Sequence, residues 1–156
     1  MQANSLDNIH PIVGLAPVAD AFSGAVESDI ISMKKCSRVD FIVYRGVGTT
    51  GTAVITVEAS DDVSASNVTA IPFKYRTNVA TDVWGAWTDA TASGFTAAAG
   101  SNFMFQIAVR DQALPAGKPF VRLVSTEGVD DPVLGGILVI ASEDRQEHDA
   151  PVSKIA

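Results

Sequence analysis

The segment FMFQIAVR (Phe103 to Arg110) sets Phe103, Phe105, Ile107 and Val109 on one side of an extended chain, with Gln106 and Arg110 on the other. Successive side chains of a strand point to opposite faces, so this pattern fits a strand with one buried face and does not fit a helix. It recurs. In TAVITVEAS, Ile55 and Val57 oppose Thr56 and Glu58, and in VDFIVYR, Val39, Phe41 and Val43 oppose Asp40. GILVIAS (Gly136 to Ser142) is apolar on both faces, which predicts a central strand covered on each side.

Weaker strand signals lie in SDIISM (28–33), VTAIPFKY (68–75), DVWGAWT (82–88) and PFVRLVST (119–126). The total is about eight strands. GVGTTG, SDDVSASN, DATASG, LPAGKP and GVDDPVLGG separate them, all rich in the residues that turns use. No window carries a sustained 3.6-residue apolar period, and FTAAAG is too short to nucleate a helix. The expected fold is therefore an all-β sandwich, with the jelly roll as one form it can take. Its inward set is expected to include Phe41, Val43, Ile55, Val57, Phe103, Phe105, Ile107, Leu123 and Val139.

The first twenty residues differ in kind. They show no alternation, hold Pro11 and Pro17, and carry the apolar set Ile9, Ile12, Val13, Leu15 and Val18. Proline fixes φ and biases its predecessor toward extended geometry, so the segment reads as an extended arm, apolar enough to dock on something. Fully stretched it would reach roughly 65 Å. The expected organisation is an arm over 1–20, a sandwich over 21–146 and a tail over 147–156.

Composition narrows the partners. The chain has 156 residues, enough for one domain with its own core, and carries a net charge of −7 with no basic stripe. Such a balance repels phosphate backbones, so nucleic acid is not an expected partner. No stretch has the length and apolarity of a membrane span, and no basic-then-apolar leader opens the chain, so no membrane is expected either and synthesis is expected in the cytoplasm. Only 19% of residues are charged, which suggests a surface partly covered by a partner. Lys34, Lys35, Arg38 and Arg45 cluster early, whereas Glu127, Asp130, Asp131, Glu143, Asp144, Glu147 and Asp149 crowd the last quarter. Head-to-tail subunit contact would use that asymmetry, but solvated loops explain it more simply. The single Cys36 excludes an internal disulfide and a multi-cysteine zinc site and is expected to be half-buried.

GVGTTG (Gly46 to Gly51) has the glycine spacing of a dinucleotide loop, yet such a loop must open a helix whose N-terminus holds pyrophosphate. Here another strand pattern follows. The glycines are expected to form a hairpin turn through positive φ. Asp61, Asp62, Ser64, Ser66 and Asn67 offer oxygen ligands without EF-hand spacing, and read as turn formers. Trp84 and Trp87 could stack on sugar rings. Their odd spacing separates them on a regular strand unless Gly85 bulges, and core packing of at least one is expected. His10 and His148 lie far from any nucleophile motif, so no catalytic residue, cofactor or metal is expected.

Residues 20–145, above all VEASDDV, AIPFKYR and the later GKPFVRL and DDPVLGGILVIAS, resemble small β-rich head proteins of tailed bacteriophages. These include capsid decoration proteins, also called head auxiliary or cement proteins. The resemblance implies a virion structural protein, no enzyme, that binds the outer capsid surface beside the major capsid protein, often as a homotrimer. Ile9, Pro11, Ile12, Val13, Leu15 and Val18 would then form capsid or subunit contacts. Two alternatives stand beside it: a carbohydrate-binding or host-attachment sandwich using Trp84 and Trp87, and a head-tail or tail-tube component.

Overall fold

A computed structural model describes residues 9–144, which form thirteen strands and no α-helix. One antiparallel sheet holds, in spatial order, β1 (Ile9–Val18), β13 (Gly135–Asp144), β4 (Cys36–Arg45), β11 (Phe103–Arg110), β7 (Phe73–Ala80) and β8 (Val83–Trp84), with β9 (Thr88–Ala90) also on β7. The other runs β10 (Phe95–Ala97), β5 (Thr52–Ser60), β12 (Phe120–Val129) and β2 (Ala25–Glu27), with β3 (Ile31–Ser32) on β12 and β6 (Val68–Ile71) on β5. The chain changes sheet at nearly every long connection. The resulting orders β1-β13-β4-β11 and β2-β12-β5-β6 are those of a jelly roll, a sandwich wound from two Greek keys.

The alternating segments meet face to face. Val39, Phe41, Val43, Ile107, Val109 and Val139 from the first sheet are buried against Ile55, Val57, Val121 and Leu123 from the second. Of the nine expected inward residues, Phe103 is only partly buried and the rest are buried. Near β10 the two sheets are joined by rings: Tyr75 and Phe95 stack at 3.9 Å between centroids, and Phe95 lies 5.6 Å from Phe105. VTAIPFKY is two strands, since Pro72 falls where the chain leaves β6 for β7 in the opposite sheet. Short strands with no alternation of their own, such as β2, β9 and β10, explain why the sequence yields fewer than thirteen.

Three expectations need correcting. GVGTTG is not a hairpin, because β4 and β5 lie in different sheets and the loop arches across the end of the sandwich. Its glycines do not have positive φ. They are needed for close approach: a Cβ on Gly51 would stand 2.3 Å from the Asp131 carbonyl oxygen and 2.6 Å from Val133 Cγ2. Gly51→Ala is therefore expected to lower stability by about 1–3 kcal/mol, the usual effect of overpacking, read as a lower denaturant midpoint at unchanged slope. Secondly, GILVIAS is covered on one face only; Leu138 points outward and is exposed. Alternation cannot reveal cover that a lone sandwich lacks. Thirdly, the segment taken for a separate arm is, over Ile9–Val18, the edge strand β1, paired antiparallel to β13 from Ile9↔Ser142 to Val18↔Gly135. Register shifts after Val13 and Leu15 break its period, which hides it from a pattern search. Residues 1–8 and the tail over 147–156 lie outside the described residues.

The arch is held at its base by Arg45, which is fully buried rather than solvated. Its guanidinium donates to the carbonyls of Ala98 and Gly51 and lies 5.0 Å from the Phe22 ring and 6.0 Å from that of Phe103. Burial pulls its pKa below the ordinary guanidinium value. Cys36 is fully rather than half buried, at the start of β4.

Candidate functional site

The outer face of the seven-stranded sheet divides into two zones, and register fixes which residues share it. Ile137, Val139 and Ala141 point into the core, so Leu138 and Ile140 point out. Val13 lies opposite Leu138 and Pro11 opposite Ile140 on β1, while Ile42 lies opposite Leu138 on β4. Tyr44, next outward on β4, faces Met104 of β11. Val13 is 66% exposed, Tyr44 53%, Leu138 44% and Ile9 42%. An apolar surface thus runs from the β1 edge across β13 to β4.

Of the expected contact residues, Ile9, Pro11 and Val13 belong to this surface, and Val18 is exposed at the end of β1. Ile12 and Leu15 instead turn inward and pack against the core. The missed contributors are Leu138, Ile42 and Tyr44. The two-sided apolarity of GILVIAS was the signal for Leu138, read as burial rather than as a surface.

The other zone, toward β7, is charged and aromatic. Asp40 accepts hydrogen bonds from Arg38 Nε at 2.6 Å and from Gln106 Nε2 at 2.9 Å, and Gln106 Oε1 accepts from Arg76 Nε at 2.8 Å. The Arg76 guanidinium in turn lies 4.7 Å from the Trp84 ring and 4.8 Å from the Trp87 ring. Neither tryptophan joins the core, contrary to expectation, and Trp87 is 40% exposed. Strand β8 stops at Trp84, so Gly85 to Trp87 escape the two-residue period and both rings reach the same arginine. Lys74 and Asp89 form an exposed ion pair at 2.6 Å beside them.

The acidic loops are turn networks. Asp62 accepts from Ser64 N at 2.9 Å and from Ser66 Oγ at 3.1 Å, while Asp61 accepts from Asn67 Nδ2 at 3.0 Å. Partial desolvation pushes the Asp62 carboxyl up, but the hydrogen bonds from Ser66, Ser64 and Ala65 outweigh it and leave its pKa lowered. Asp131 ties the GVGTTG arch: one carboxylate oxygen accepts from Thr49 Oγ1 at 2.6 Å, Thr50 N at 2.8 Å and Thr50 Oγ1 at 3.1 Å. These bonds, led by that from Thr49, hold its carboxyl well below the usual carboxylate range. A carboxyl depressed on folding stabilises the fold above its unfolded value of 3.8, and that stability is lost as pH falls through the folded value. Asp131→Asn is expected to lower the thermal midpoint at neutral pH and to flatten its decline below about pH 4, measured by melting across pH.

Among the described residues, no group of three or more His, Cys, Asp or Glu side chains is placed to hold a metal ion, and no helix is long and apolar enough to cross a membrane. Comparison with family models, curated proteins and solved structures returns no match. What the geometry defines is a jelly-roll sandwich with a two-zone outer face.

Proposed function

We propose that the chain is a structural virion protein that binds the outside of a tailed-bacteriophage capsid and reinforces the head. The observation that carries this reading is the apolar zone built from β1, β13 and β4. An outer sheet face in water is ordinarily polar, and a contiguous apolar surface marks a place where another protein sits. Pro11 and Pro17 on β1, the edge strand of this sheet among the described residues, disfavour strand addition there, so the side-chain face rather than the edge is the contact. The major capsid protein is the partner, and a homotrimer is the state in which the chain binds. Its work is the free energy of the interface. Stable contacts of this kind bury about 1,200–2,000 Å² in total, and distributed over a shell they resist expansion without any chemical step.

The test is sedimentation of the purified protein with heads assembled from the major capsid protein encoded with it. Saturable binding at a fixed ratio, with heads that survive higher temperature when coated, is the expected result. Heads that pellet free of the protein at every concentration would overturn the reading.

A further inference from the structure

We propose that the charged zone holds a second binding site, an open cleft that takes a neutral glycan through its hydroxyl groups. Register places its floor. Ile107 and Val109 point into the core, so Ala108 points out, opposite Lys74 on β7 and Asp40 on β4. A methyl group among longer neighbours leaves a cleft of about 870 Å³, lined by Trp87, Arg76, Lys74, Asp89, Arg38 and Arg110 besides Ala108.

The polar walls select the ligand, because they are already bonded to one another. Arg38 is held by Asp40, Lys74 by Asp89, and Arg76 by Gln106 and the two indoles. An anion would have to displace Asp40 or Asp89, and a cation would have to displace an arginine or a lysine. A wholly apolar molecule would strip water from these groups and return no hydrogen bond. A hydroxyl group avoids all three penalties, since it donates and accepts at once and adds to a pair without breaking it. The exposed pair Lys74 and Asp89, 2.6 Å apart, is the clearest case. An ammonium has three donors and a carboxylate about four acceptor positions, so neighbouring hydroxyls of one sugar ring meet a donor and an acceptor side by side.

Trp87 decides what carries those hydroxyls. Its ring is held near the Arg76 guanidinium, yet the residue stays exposed and forms one wall, two residues before Asp89 in the chain. A pyranose is apolar on its C–H face and hydroxylated at its rim, which matches an indole set beside an ion pair. An open-chain polyol has no such face to lay on the ring. The cleft lies on the opposite half of the sheet face from Val13 and Leu138 and stands or falls independently of capsid binding.

Isothermal titration of the whole protein with neutral hexasaccharides of glucose, galactose, mannose and N-acetylglucosamine tests this. Expected are saturable binding of at least one of them, affinity that stays within about twofold as salt is raised, and weakening by about tenfold or more in Trp87→Ala and in Asp89→Ala. Both positions are exposed, and circular dichroism of each variant checks that it is folded. The proposal is overturned by no saturable heat with any of the four sugars, by affinity that falls steeply with salt, by affinity unchanged in either folded variant, or by a uronate hexamer or oligo-dT binding more tightly than every neutral sugar.

Discussion

Changing Val13 and Leu138 together to aspartate is expected to leave the sandwich folded and to weaken capsid binding by about 100-fold or more. The two side chains are cross-strand partners on β1 and β13, they are exposed in the free chain, and neither belongs to the core set. Burying each at an interface contributes about 1.5–3 kcal/mol, and an unpaired carboxylate in the same place adds a desolvation penalty, so the sum exceeds the roughly 2.7 kcal/mol that separates 100-fold in affinity. The thermal midpoint supplies the control. It should stay within a few degrees of the parent, because surface changes usually alter stability by less than about 0.5 kcal/mol each. A folded double variant that coats heads at the parent's concentration would remove this face from the account.

Phe41→Ala is expected to have the largest effect on folding. Phe41 is fully buried on β4, opposite Val139 of β13 and Ile107 of β11, at the centre of the seven-stranded sheet. Truncating a buried phenylalanine removes its transfer free energy and leaves a cavity, about 3–5 kcal/mol together. Domains of this size are stable by only about 5–15 kcal/mol, so about a fifth or more of the total would go, seen as a urea midpoint shifted down at unchanged slope. Leu138→Ala, next to it across the ladder from Ile42 but on the outer face, should change stability by less than about 1 kcal/mol. Equal losses at the two positions would mean that the inward and outward faces have been assigned the wrong way round.

The alternation around Phe41, Ile55 and Phe105 made the class of fold and its core legible, because burial of one face writes a period of two directly into the chain. Pairing was not legible. Turn residues such as those of GVGTTG mark a reversal equally well whether the next strand lies alongside or in the opposite sheet, and only the packing of Gly51 against Asp131 and Val133 distinguishes the arch. Strand β1 was hidden for a different reason: register shifts and two prolines erase the period that would have announced it. The apolar zone was half visible, since Ile9, Pro11 and Val13 stood out as contacts and the alternation of VDFIVYR set Ile42 opposite its inward face, while Leu138, in a segment apolar on both faces, was indistinguishable from core residues until register placed it outside. Likewise the Trp84 and Trp87 pair could not be placed by spacing alone, because β8 ends between them.

The strand order bears on how the protein reaches its folded state. β1 pairs with β13, so the first and last strands of the described chain must meet before the face is complete. Such non-local pairing slows folding and leaves β13 with an open edge until β1 docks. The same edge strand supplies Val13 and Pro11 to the apolar zone. Completion of the fold and completion of the contact surface are thus one event.

A cryo-electron-microscopy map of heads coated with the purified protein tests the central claim most directly. The account predicts the sandwich seated with the outer face of its seven-stranded sheet against the shell or a neighbouring copy, and with Val13, Leu138 and Tyr44 buried in that contact. A coat that instead meets both shell and neighbours through the six-stranded sheet, leaving those three side chains in solvent, would contradict it.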